Sequence, residues 1–245
     1  MEVHAHSHTA RKKWTHYFWE FLMLFLAVFC GFLAENIREH KVEKEREKQF
    51  MKSLLYDLRM DSVFLSGNLG PGPRIVRYDD SLLSELQKRP LQGREKRIYH
   101  FLSLISEGVG FRYYDRTVSQ LRYSGGFRLI SNPGISNAVL DYDVLMREGL
   151  GYSTSVESWG FVTPAIQKSA AVFDMDLVFR IYEDARKYIN CTDSIHFPPG
   201  LKLITYNDRE IKEFVNLQRF AQITDEVKLD YSKRAFEKTG CLIHL

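Results

Sequence analysis

Phe18-Trp19-Glu20-Phe21-Leu22-Met23-Leu24-Phe25-Leu26-Ala27-Val28-Phe29-Cys30-Gly31-Phe32-Leu33-Ala34 is the stretch of this chain that water does not readily host as an exposed helix. As a helix, the run from Tyr17 to Ala34 covers roughly 27 Å at ~1.5 Å per residue, close to the ~30 Å thickness of bilayer hydrocarbon. Trp14, Tyr17 and Trp19 provide interfacial aromatics at its leading edge, and Arg11-Lys12-Lys13 precede them. The segment predicts a transmembrane helix over 17–36. Two rival readings fit less well. A cleaved signal peptide has a shorter apolar region and a small-residue cleavage site, whereas this run passes directly into Glu35-Asn36-Ile37-Arg38-Glu39-His40. A buried core helix is the second rival, because Glu20 leaves only Phe21 to Ala34 uninterrupted. The aromatic and basic flank on one side and the charges on the other weigh against it.

Upstream, residues 1–16 form a basic tail in which His4, His6 and His8 alternate. Such spacing can collect zinc, nickel or copper, but a short polar tail lacks the fixed geometry and supporting hydrogen bonds of a metal site. A solvated tail at the membrane surface is the simpler reading, and no cofactor is expected. Downstream, Ala34 to Asp61 holds neither Gly nor Pro and is rich in Glu, Lys, Arg and Gln, so the helix is expected to continue over 37–66 as a charged juxtamembrane rod. Phe50, Met51, Leu54, Leu55 and Leu58 then restore an apolar face at helical spacing, which must dock on something.

Orientation rests on competing charges. The compact cluster before the span favours a cytoplasmic amino terminus, while a plain count including Arg38, Lys41, Lys44, Arg46, Lys48 and Lys52 favours the reverse. The compact cluster is preferred, which puts the bulk of the chain across a bacterial inner membrane, in the periplasm. Within the span, Glu20, Leu24, Ala27, Gly31 and Ala34 follow one seam, with Ala27 and Gly31 as a small-xxx-small step. Small residues allow close helix approach and a carboxyl in lipid seeks a partner, so this seam is a candidate packing surface; a snorkelling Glu20 beside incidental small residues is the plain alternative.

The remainder has an ordinary globular composition, 44% hydrophobic and 27% charged, with a formal net charge of +3. Its 34 basic and 31 acidic residues are interspersed without an evident basic patch, which argues against nucleic acid as a partner. Cys191 and Cys241 form no metal or redox motif; they either pair in an oxidising compartment or stay free. Gly67-Asn68-Leu69-Gly70-Pro71-Gly72-Pro73 predicts a linker over 67–74, followed by a helical domain over 75–245. Helices are expected over Asp80 to Gln87, Glu95 to Ser106, Asp115 to Tyr123, Asn132 to Met146, Ser153 to Asn190 and Asp208 to Lys238, with Phe127 to Ile130 extended or turned. The expected fold is all-α, one transmembrane helix and its charged continuation followed by an antiparallel helical bundle.

At Asp115-Arg116-Thr117-Val118-Ser119-Gln120-Leu121-Arg122-Tyr123-Ser124-Gly125-Gly126-Phe127-Arg128-Leu129-Ile130 the chain resembles uncharacterised single-span membrane proteins of Bacteroidota. The likeness extends to the His- and Lys-rich start from His4 to Lys13, the entry Tyr17 to Glu20 and the exit Ala34 to Glu39. It implies a membrane-anchored helical protein and carries over no catalytic residue.

Ser124-Gly125-Gly126 is not a phosphate cradle, since its glycines follow a helix and no lysine comes after them; a helix C-cap is expected. The carboxylate pairs Asp79/Asp80, Asp141/Asp143 and Asp174/Asp176 are read as solvated helix surface and caps. The leading expectation is a non-enzymatic scaffold, an accessory subunit or a self-associating protein, whose partners are the lipid bilayer and a membrane protein or a second copy. The alternative is a tethered ligand sensor or enzyme with a pocket between helices formed by Tyr113, Tyr114, Arg116, Arg122 and Tyr123.

Overall fold

The computed structural model describes residues 14–106, 108–187 and 197–244, and all regular structure among them is helical. The chain divides into two units at Met51/Lys52, and one helix, α1 (Trp14–Leu69), carries residues of both. The expected spanning helix and its continuation are thus one uninterrupted element, which also starts slightly earlier and ends slightly later than the sequence suggests. The tail with His4, His6 and His8 lies outside the described residues, as does Cys191.

In the first unit, α1 contains a segment long and apolar enough to cross a membrane. Phe21, Phe25 and Phe29, one turn apart, stack along its surface with centroids 6.3 and 5.9 Å apart. Glu20, Leu24, Ala27, Gly31 and Ala34 are all exposed there. Past this segment Arg38 is ion-paired with Glu35, and charged side chains continue to Lys48.

The second unit takes in the last turns of α1, where Leu54, Leu58 and Leu65 are buried together with Asp57 and Asp61. The linker expected over 67–74 is reduced to a turn at Gly70 and Pro71, after which α2 (Gly72–Gln87) begins. Proline is accepted here because Pro73 lies in the first helical turn, where no backbone N–H is needed; the Pro71 carbonyl accepts from Arg74 and Ile75 N–H at 2.9 and 3.0 Å. α2 accordingly starts well before the expected Asp80.

The other elements are α3 (Glu95–Leu104), α4 (Arg116–Tyr123), a 3-10 turn (Gly126–Leu129), α5 (Pro133–Thr154), α6 (Val156–Val172), α7 (Met175–Lys187) and α8 (Asp208–Ile243). The predicted cap is present: α4 ends at Ser124, and Gly125 takes the left-handed φ of +67°. Phe127 to Ile130 is mostly 3-10 turn rather than extended chain. The largely helical stretch expected from Ser153, with Pro164 allowing a new start or a kink, is broken at Ser155 and again at Phe173 and Asp174, and Pro164 sits inside α6. Asp174 then caps the start of α7 by accepting from Leu177 N–H at 3.1 Å.

α8 is the spine of this unit. Its start is capped by the Asn207 side chain, which accepts from Arg209 and Glu210 N–H. Read backwards along α8, Ser232 meets Asn68 at 3.0 Å, Leu229 meets Gly72, Gln222 meets Val76 and Gln218 meets Asp79 at 2.7 Å, so contacts ascend α1 and α2 as they descend α8. The same reversed order links Thr239 to Tyr142 of α5 and Glu213 and Glu210 to Lys168 of α6. A Cβ at Gly72 would lie 2.8 Å from Leu229 Cδ1, so a larger residue where α2 approaches the spine would require the tip of Leu229 to move. The main apolar core includes Leu82, Ile98, Tyr99, Phe173, Ile181 and Phe214, from α2, α3, α7, α8 and the bend at Phe173. Phe173 meets Phe214 edge-on at 5.0 Å, and buried Tyr99 Oη donates to the Lys202 carbonyl while accepting from Asp174 N–H.

Candidate functional site

Three buried aspartates, Asp57 and Asp61 from α1 and Asp143 from α5, meet donors from α4 and the segment before it. Asp57 and Asp61 are one turn apart, in line with Leu54, Leu58 and Leu65, so the face that buries the leucines buries them too. Asp57 accepts from Thr117 N–H at 2.9 Å, Thr117 Oγ1 at 2.5 Å and Arg116 Nη2 at 2.8 Å. Asp61 accepts from Tyr114 N–H at 2.8 Å and Tyr142 Oη at 2.9 Å. Asp143 accepts from Tyr113 Oη at 2.8 Å, Arg147 Nε at 3.0 Å and the Arg122 guanidinium.

Four of the candidate pocket groups, Tyr113, Tyr114, Arg116 and Arg122, are therefore gathered around buried carboxylates. Tyr114 takes part through its backbone. Tyr123 stands apart, 84% exposed. The reading of the aspartate pairs as solvated surface needs correction at two positions: Asp143 and Asp79 are 0% and 1% exposed. Neighbours one or two residues apart point to different sides of a helix, so in these two pairs one member enters the interior and the other stays outside, while Asp174 and Asp176 are both exposed. Asp57, Asp61, Thr117, Tyr142 and Arg147 were not singled out from the sequence; the available signal was a carboxylate every turn within the leucine face of α1.

Burial pushes the Asp61 carboxyl up to about 6, against the hydrogen bonds from Tyr114 and Tyr142 that favour its charge. The Tyr113 and Tyr142 phenols are pushed up by burial and by the neighbouring carboxylates, so both remain protonated donors at neutral pH. Away from this cluster, burial pushes Asp79 up to about 7 despite the Gln218 amide, with Asp225 and Asp80 adding repulsion and Arg219 opposing it. Asp225 is also raised by burial, although Lys228 and Val109 N–H stabilise its charge.

Chemically, the cluster is a clamp. Each carboxylate accepts from two or three protein donors, and the cluster ties the 113–117 segment to α1 and α5. No group of three or more His, Cys, Asp or Glu side chains suited to a metal ion occurs among the described residues. A cleft of about 520 Å³ between α5 and α8 is lined by Asp141, Val144, Glu148, Arg234, Lys238 and Cys241. Another, of about 510 Å³, lies at the α1–α2 turn beside Asn68, Pro71, Gly108 and Tyr182. Neither is lined by the candidate pocket residues. No protein-family model matches the chain, and no curated protein or solved structure is significantly similar to it.

Proposed function

We propose that this protein is a membrane-anchored helical scaffold. In this reading the apolar segment of α1 is a single span in a bacterial inner membrane, and the second unit is an antiparallel helical bundle in the periplasm that binds a protein partner or a second copy. Kinship with the single-span proteins of Bacteroidota belongs to the same reading. The observation that carries it is that Tyr113, Arg116 and Arg122 hold buried aspartates and line neither of the two clefts described above. The sensor or enzyme alternative needs these groups to converge on a cavity between helices, and it is the weaker of the two.

High-salt and alkaline washing of membranes tests the anchor, because a spanning helix resists both while electrostatic attachment does not. The full-length chain should stay in the pellet until detergent is added; its release without detergent overturns the reading. Orientation is testable at Cys241, whose side chain is exposed. With the outer membrane opened and the inner membrane intact, an impermeant thiol reagent should label Cys241 in a variant lacking the other two cysteines. Protection until the inner membrane is opened would mean the opposite orientation.

A further inference from the structure

Residues 112–130 depart from the mixed charge pattern of the chain: they contain four arginines and one aspartate, with no lysine and no glutamate. Folding turns this departure into a surface. In α4, Thr117, Val118 and Leu121 face inward, whereas Arg116, Gln120, Arg122 and Tyr123 face outward. Arg112 and Arg128, before and after the helix, are exposed as well.

These arginines are held from below. Arg116 is 69% exposed, yet one of its nitrogens lies 2.8 Å from buried Asp57 and its guanidinium lies 5.5 Å from the centre of the Tyr56 ring. Arg122 is secured by buried Asp143, and Arg112 lies over the Phe64 ring at 5.3 Å. A guanidinium fixed along one edge keeps donors on the other, and much of its rotamer freedom is already lost before any partner arrives. Tyr56 of α1, beside Arg116, and Tyr123 at the end of α4 are 55% and 84% exposed and add rigid amphipathic rings.

We propose that the exposed surface around α4, with Arg116, Arg122 and Tyr123 of the helix, Arg112 and Arg128 flanking it in sequence and Tyr56 of α1 beside Arg116, docks an acidic segment of a protein partner. The proposal rests on the scaffold reading and adds the chemistry of the partner. Arginine forks pair with carboxylates in a defined geometry, and tyrosine with arginine is the composition that dominates protein interfaces, where lysine is depleted. A lipid headgroup surface asks only for positive charge, which lysine supplies equally well.

The test uses the full chain in neutral detergent, titrated with a fluorescent random copolymer of glutamate and tyrosine. Saturable binding is expected, and Tyr123→Ala combined with Arg128→Glu should weaken it roughly tenfold or more. Helicity and melting temperature should not change, because the bonds to Asp57 and Asp143 come from other residues. Lys233→Glu, an equal charge reversal at an exposed position of α8, should change the affinity by less than about twofold. An equal loss in Lys233→Glu would reduce the effect to bulk charge and overturn the proposal, as would an absence of saturable binding. Tighter binding to phosphatidylglycerol vesicles than to the copolymer, lost in the same double variant, would assign the face to lipid and overturn it too. Failure here leaves the membrane-washing result untouched, and release of the chain by alkali leaves this titration untouched, so the two readings fail separately.

Discussion

Tyr142 on α5 donates its phenolic proton to Asp61 on α1 at 2.9 Å, across 81 residues of sequence, with neither side chain open to solvent. Thr239 of α8 lies 3.2 Å from the same phenol, so one buried hydroxyl joins three helices. Tyr142→Phe removes the donor and leaves Asp61 with the Tyr114 N–H alone. The expected loss is about 1–3 kcal/mol, the cost of stranding a buried acceptor, and the Asp61 carboxyl should titrate still higher. Chemical denaturation and NMR titration of the aspartate carboxyl would measure both; unchanged stability would mean that the contact is not formed in solution.

Buried carboxylates set an unusual dependence on pH. Asp61 and Asp79 have folded-state values raised to about 6 and about 7 from 3.8, so the folded chain binds more protons than the unfolded chain between these limits. Their contribution is full below the unfolded value and is lost as pH rises through the folded ones. Glu85 acts oppositely: its Lys88 and Arg94 contacts lower its carboxyl, and that contribution is lost in acid. Thermal stability should therefore peak in the mildly acidic range and fall towards pH 8. Asp79→Asn keeps an acceptor for Gln218 and removes the charge, so it should abolish much of the fall between pH 5 and 8. About two pKa units of the shift act in that window, which at ~1.4 kcal/mol per unit is about 3 kcal/mol. A melting temperature that rises steadily from pH 5 to 8 would refute this.

Gly149 is required by its neighbour. A Cβ at this position would lie 2.5 to 2.9 Å from three atoms of the Phe111 ring, which itself packs edge-on against Tyr231. Gly149→Ala should cost about 1–3 kcal/mol through overpacking, even though alanine is the better helix former. In a Phe111→Leu background the same substitution should cost less, and a double-mutant cycle measures the difference. Equal costs in both backgrounds would place the origin of the effect elsewhere.

Gly31 allows the packing seam to be tested without disturbing the second unit. A Cβ at Gly31 has nothing within 4 Å, so Gly31→Leu creates no clash within the chain. If Glu20, Leu24, Ala27, Gly31 and Ala34 pack against another helix, the added bulk should separate the pair and weaken association, while melting of residues 52–245 stays unchanged. Phe25→Leu, away from the seam, should have little effect. An oligomer and partner profile unchanged by Gly31→Leu, in detergent and in membranes, would leave α1 as a plain anchor.

By itself the sequence determined the features written in neighbouring residues. The apolar run from Phe18 to Ala34, the helical class, the cap at Gly125 and the start of α8 at Asp208 all follow from local periodicity and capping chemistry. It also indicated Tyr113, Arg116 and Arg122 as polar groups of interest. What they meet was decided by tertiary structure: Asp57 and Asp143 lie 59 and 21 residues from Arg116 and Arg122, and no local spacing relates them. The same holds for the Gly70–Pro71 turn, where Leu229 of α8 packs against Gly72 and a run that reads as a linker serves as a helix start. Helix propensity and hydrophobic period act over a few residues. Which carboxylate enters the interior depends on donors supplied by distant segments, because a buried charge persists only where the complete fold brings those donors to it.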